Sequence, residues 1–419
     1  MPSVARRLPG SLWSLLLAVL VIGLVARPSS ASRSEIERLL GEMQAAVLAA
    51  DMDGYMKFVD PSDPVFLQEQ RMWADDLRKN TPVEFRWAIQ DPAVDQRGTE
   101  AAGDDDAVPA RNANDAPGEG GQAFRIDGAT AEAPIEVVWS MPGWPKPRTL
   151  RWTASFRRGE DGWRYSGEKW NRLESEGVLV MYADGLEEAA RAVADELPAV
   201  RRHVHDGFLF AEDSPLATRV QEVKVYGSMQ HLQASIFLSY TDGIAGWNEP
   251  GESIKLLIGR RTRAGSLRPL LAHEYGHVAT FELGDARMPW WILEGVAELS
   301  AEVYGKSRER NDREVRRWKA EGKLPPFEEM AEFDDRAKKW YSQVYGQGHH
   351  MLGYISDRYG REARVGWLTA QARGDSLDQA TRDVLGLSFE ELDARWRDSI
   401  GPVEDEVPAA APDPEKPAT

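Results

Sequence analysis

The segment His273-Glu274-Tyr275-Gly276-His277 restricts this chain more than any other. It lies in Leu270–Ala279, a stretch that reads as helix. Two histidines four apart on a helix project from one face, one turn apart, where both imidazoles reach the same Zn²⁺. The glutamate after the first histidine lies close enough to take a proton from a water activated there. A catalytic zinc needs three protein ligands and one open position, so a third donor has to come from elsewhere in the fold. Sixteen residues separate His277 from Glu294, with Leu283-Gly284-Asp285 as a turn between. A glutamate on a second helix, packed back across the first, would complete the set. Glu298 follows one turn later on the same face.

Trp291-Ile292-Leu293-Glu294-Gly295-Val296-Ala297 resembles the Trp-x-x-Glu-Gly-x-Ala segment of the gluzincin metallopeptidases, whose glutamate is the third zinc ligand. Tyr345-Gly346-Gln347-Gly348 resembles the Tyr-x-x-Gly that opens a later helix in gluzincins of the aminopeptidase type. Gly386–Leu392 and Trp396 look like the closing helices of bacterial peptidase MA-like domains. The resemblance covers about residues 176–400. It implies one Zn²⁺ per chain on His273, His277 and Glu294, with Glu274 as general base. It further implies that the Tyr345 phenol donates to the oxyanion and that Glu298 accepts the free N–H of a ligating histidine. Ile254–Ile258 reads as the strand before the zinc helix, which in gluzincins edges the cleft and pairs with the substrate backbone. Ala245–Glu249 matches poorly the Gly-x-Met-Glu-Asn segment that recognises a substrate amine, so exopeptidase specificity is not carried over. His349 and His350 follow Tyr345 closely but read as structural, as do His203, His205 and His231, which have no partners at ligand spacing.

Arg6 and Arg7 precede Leu12–Ala26, an apolar run without charge, and Ser29-Ser30-Ala31 follows with small residues. Residues 1–31 therefore read as an export signal, which predicts an extracytoplasmic protein. Membrane attachment would require that segment to stay uncleaved, and the run is short for a span. The 419 residues contain no cysteine, which excludes disulfides, lipidation on a cysteine and thiolate zinc ligands. Net charge is −17, and loss of Arg6, Arg7 and Arg27 with the signal would make it −20. Such a balance opposes binding to nucleic acid, whose main attraction is electrostatic. The expected partner is a peptide or protein substrate.

Upstream, the pattern predicts a separate α+β module over residues 32–172. Ile36, Leu39, Leu40, Met43 and Val47 share one helical face, and Ser34 with Glu37 reads as a capping box. Val83, Phe85, Trp87 and Ile89 alternate at strand period, as do Leu150, Trp152, Ala154 and Phe156, with Trp163 and Tyr165 beyond a Gly159–Gly162 turn. Helices followed by a curved antiparallel sheet resemble the SnoaL-like (nuclear-transport-factor-like) cone domains in architecture. Within this module, residues 91–121 carry eight acids and two arginines but no aromatic, Leu, Ile or Met, and read as a disordered insertion. Residues 401–419 read as a disordered tail. The whole is expected to be α+β: helix plus curved sheet first, then a mostly helical gluzincin domain with a small sheet.

Two other functions fit the same residues. A peptidase-like domain could serve recognition without turnover, or the zinc chemistry could hydrolyse a non-peptide amide or ester.

Overall fold

The computed structural model describes residues 30–90, 123–259, 264–285, 287–305 and 308–403. The expected signal lies outside these residues except for Ser30 and Ala31. The expected insertion at 91–121 and almost all of the tail also lie outside them. The architecture is α+β, as its sequence pattern predicts.

The first part runs α1 (Ser30–Leu48), α2 (Met52–Met56), α3 (Pro64–Lys79), β1 (Glu84–Ile89), β2 (Arg125–Asp127), β3 (Thr130–Ser140), β4 (Arg148–Gly159) and β5 (Gly162–Glu168). The apolar face of α1 is buried as its 3.6-residue period requires. The expected capping box is not formed: α1 begins at Ser30, which puts Ser34 inside the helix, and Glu37 accepts instead from Arg33 Nε at 2.8 Å. Asp63 caps α3, accepting from the Val65 and Phe66 amides, with Pro64 in the first turn. The strands form one antiparallel sheet in the order β1-β3-β4-β5, with β2 also on β3. Sequence reading passed over the central strand β3, although Ala131, Ala133, Ile135, Val137 and Trp139 alternate cleanly and are all buried. Val83 does not join the inward row; it precedes β1 and is 66% exposed. A bulge between Ala154 and Phe156 helps curl the sheet around a core of Trp73, Phe85, Trp87, Trp139 and Tyr165.

Only Lys169 and Trp170 separate β5 from the next sheet. There follow β6 (Asn171–Ser175), β7 (Val178–Tyr182), α4 (Glu187–Phe208), α5 (Pro215–Thr218), β8 (Gln221–Tyr226), α6 (Met229–Ile236), β9 (Gly246–Trp247) and β10 (Ile254–Leu257). Helices complete the chain: α7 (Arg268–Phe281), α8 (Trp290–Ala301), α9 (Arg308–Ala320), α10 (Asp335–Lys338), α11 (Tyr341–Tyr359), α12 (Arg361–Ala372), α13 (Leu377–Leu385) and α14 (Phe389–Ser399). The second sheet has the order β6-β7-β8-β10-β9. Its β7, β8 and β10 run parallel, and α4 makes the crossover between β7 and β8. The expected cleft-edge strand, β10, has a neighbour on each side, so the free edge belongs to β9 instead.

The two parts meet across a polar and apolar seam. Glu69 of α3 is buried against Lys224 of β8 and Ser253. Trp139 Nε1 donates at 3.1 Å to the Leu238 carbonyl, and the Leu238 side chain is buried in the first core. Among the described residues no helix is long and apolar enough to cross a membrane.

Candidate metal centre

Helix α7 is held from behind. Leu271, Ala272, Tyr275 and Ala279 are fully buried, and the Tyr275 hydroxyl meets Arg201 Nε at 3.1 Å and His205 Nε2 at 2.8 Å on α4. That anchorage turns His273 and His277 to the opposite face. Helix α8 crosses α7 with Trp291 fully buried against Phe327 and Phe389. On its other side α8 meets α11 almost backbone to backbone. A Cβ built on Gly295 would lie 2.5 Å from the Gly348 carbonyl carbon, and one built on Gly348 would lie 2.2 Å from the Trp291 oxygen. Only glycine permits that approach, and it sets how far α11 carries Tyr345 towards α7.

Crossing α7 with α8 brings three donors together. One ligand atom each from His273, His277 and Glu294 lies within 4.8 Å of the others. Glu294 Oε2 is 3.3 Å from His273 Nε2 and 3.6 Å from His277 Nε2. Ligands on a tetrahedral ion with bonds of 2.0–2.1 Å stand about 3.3 Å apart, so these spacings suit one zinc-sized cation. The donor chemistry agrees. Glu294 Oε1 accepts from Trp290 Nε1 at 2.9 Å, while buried Oε2 has no hydrogen-bond partner despite lying beside two imidazoles. A lone pair held there between two ring nitrogens is placed for a shared cation. No other described cluster of His, Asp and Glu has ligand geometry.

The surroundings are acidic. Glu298 Oε1 lies 3.1 Å from His273 Nδ1, opposite the nitrogen that faces Glu294. Burial opposes charge on His273, but its contacts to Glu294 and Glu298 outweigh that and push its pKa up to about 10. Glu294 is likewise buried, yet the two histidines hold it well below the carboxylate range. Glu274 is buried too, and burial pushes its carboxyl up against the lowering pull of both histidines. It rests on the backbone of the edge strand: a Cβ on Gly246 would fall 2.2 Å from Glu274 Oε1. Burial also raises the Tyr345 phenol, helped by Glu294. The Tyr345 ring stacks on His273 with centroids 6.0 Å apart, and its hydroxyl receives the Tyr341 hydroxyl at 3.2 Å.

All the residues singled out from sequence, His273, Glu274, His277, Glu294, Glu298 and Tyr345, thus gather at the α7–α8–α11 crossing. The remaining histidines stand apart from the centre. His349 pairs with Glu302 at 2.8 Å, His350 Nδ1 accepts from Trp396, His231 faces Glu168, and His203 meets the Tyr304 ring edge-on. Sequence reading assigned no role to Trp290, Tyr341 or Gly246. For Trp290 a signal was present, since it sits four residues before Glu294 on one helix. Gly246 becomes visible only when β9 lies against α7.

No family model matches the chain, and no curated protein matches it. Among solved structures it is similar to the crystal structure of an M1 zinc metallopeptidase from Deinococcus radiodurans, with 14% identity and a TM-score of 0.33. The match covers 66% of this chain and 62% of that one, so the chain spans about three fifths of the length of that structure.

Proposed function

We propose that this protein is a zinc-dependent peptidase of the gluzincin type. The observation that carries the proposal is the convergence of His273, His277 and Glu294 Oε2 at tetrahedral spacing with Glu274 beside them. In this reading those three residues hold Zn²⁺, which when bound lowers the pKa of a coordinated water towards neutrality and polarises a substrate carbonyl. Glu298 fixes the His273 tautomer by accepting its Nδ1–H, and Trp290 holds the Glu294 carboxylate in its orientation. Glu274, made more basic by burial and held ionised by the opposing pull of the histidines, takes the proton of the attacking water and returns it to the leaving amine. The Tyr345 phenol, which burial keeps protonated, donates to the developing oxyanion.

A peptide substrate is favoured over another amide or ester by the sheet. Strand β9 presents a free edge directly against Glu274, where an extended peptide backbone could add as a further strand. The test is metal analysis of the purified protein combined with cleavage profiling on a peptide library. About one zinc per chain with cleavage lost in Glu274→Gln is expected. A zinc-loaded protein that cleaves no peptide would overturn the peptidase reading in favour of recognition or non-peptide hydrolysis.

A further inference from the structure

The curled sheet of the first part does not close on itself. Its open side is covered by β8 and α6 of the second part, and the space between is a cavity of about 120 Å³. Its inner wall is aromatic, with Trp73, Trp87, Trp139, Trp152 and Tyr165. Its outer wall is polar and comes largely from the second part: Lys224, Tyr226 and His231, with Glu168 paired to His231 at 3.0 Å. Two of the charged groups there are already answered. Lys224 is bound by Glu69, and His231 lies between Glu168 and the Trp152 ring. Two indole groups on the aromatic wall are not answered: the buried Nε1–H of Trp152 and that of Trp87 have no hydrogen-bond partner, and Trp87, more than nine-tenths buried, is the deeper of the two.

A buried indole N–H normally finds an acceptor, and leaving it without one costs stability. An engineered protein cavity of roughly 150 Å³ lined by apolar side chains holds a benzene molecule, so the volume here suits a single ring. We propose that this seam cavity is a binding site for a small neutral aromatic molecule carrying one hydrogen-bond acceptor, such as a pyridine. The ring stacks among the tryptophans, and the acceptor takes the Trp87 Nε1–H. Because the walls come from both parts of the chain, the site exists only in the joined molecule. It is separate from the metal centre and needs no metal.

The test uses the full chain. Pyridine and benzene have nearly the same shape, but only pyridine offers an acceptor. Calorimetric titration is expected to show saturable binding of both at one site, with pyridine tighter. Trp87→Phe keeps a ring in place and removes the donor, and should reduce the preference for pyridine about fivefold, the worth of one ordinary hydrogen bond. Ala234→Phe, which puts a ring into the cavity from α6, should abolish binding of both. Should that variant not fold, Leu150→Trp fills the same space from β4. The proposal is overturned if neither compound saturates the unmodified protein, if a folded filling variant binds as well as the parent, or if Trp87→Phe leaves the preference unchanged.

Discussion

Two clusters of buried charge among the described residues are built on opposite principles. At the seam, Glu69 and Glu252 face Lys224 and Lys255, two negative groups against two positive, all of them less than a tenth exposed. Lys255 Nζ donates at 2.9 Å to Glu252, and Glu69 takes both Lys224 and the Ser253 hydroxyl. Burial by itself would raise the Glu69 pKa, but the two lysines hold it down to about 2. At the α7–α8 crossing, Glu274, Glu294 and Glu298 surround His273 and His277, and Glu294 Oε2 is left without a hydrogen bond. A matched cluster is complete as it stands and holds two parts of a fold together. A mismatched one leaves a buried carboxylate oxygen unanswered between two imidazoles, which fits a cation.

The sharpest way to break the contrast is to remove a donor from the mismatched cluster. His273→Ala or His277→Ala should reduce retained zinc from about one per chain to essentially none after dialysis, because two ligands do not hold the ion against dilution. Full zinc content in the double variant would place the metal elsewhere. Glu274→Gln should retain zinc and lower kcat by about 10²–10⁴, measured on any peptide the parent cleaves. If it lost zinc as Glu294→Gln is expected to, the division of roles between these two glutamates would fail.

The seam should respond in stability rather than in metal. Glu69→Gln strips two buried lysines of a shared partner and is expected to cost about 3–5 kcal/mol by denaturant unfolding, with zinc content unchanged in the folded protein. A loss below about 1 kcal/mol would show that the cluster is solvated. The pH dependence has a definite sign. The folded pKa of Glu69 lies below its ordinary value of 4.5, so its stabilisation is present above that value and is lost as pH falls from about 4.5 towards 2. The stability gap between parent and Glu69→Gln should therefore be constant near neutrality and narrow below about pH 4.5. The smallest effect is expected from Trp290→Phe, which removes one hydrogen bond to Glu294 and should weaken zinc affinity about tenfold, read by competition with a chelator.

The seam also changes what the first part of the chain is for. From sequence, the residues of the proposed chemistry all lie between His273 and Tyr345, so nothing before about residue 176 is needed. The structure ties the approach to the cleft edge into the first part. Leu238 is buried in its core, its carbonyl is held by Trp139, and Ser239 donates to Asp76 at 2.9 Å, a few residues before Gly246 meets Glu274.

The two ends of this comparison were unequally legible. That His273 and His277 share a face follows from four residues of helix, a local geometry that any sequence displays. The buried face of α1 and the inward row of β4 are legible for the same reason, since periods of 3.6 and 2 are written along the chain. The position of Glu294 came from its motif, but its 3.3 Å approach to His273 depends on how closely α7 and α8 pack, which Gly276 permits, since a Cβ there would fall 3.0 Å from Ala297 Cα. Nothing local announces that Glu69 pairs with a lysine 155 positions away, that β9 rather than β10 is the free edge, or that β8 and α6 wall a cavity under the curled sheet. Which side chains share a face can be read along the chain, because neighbouring residues are bound by fixed backbone geometry. Which faces meet is settled only on folding, because that choice rests on packing and charge matching between segments the chain does not place side by side.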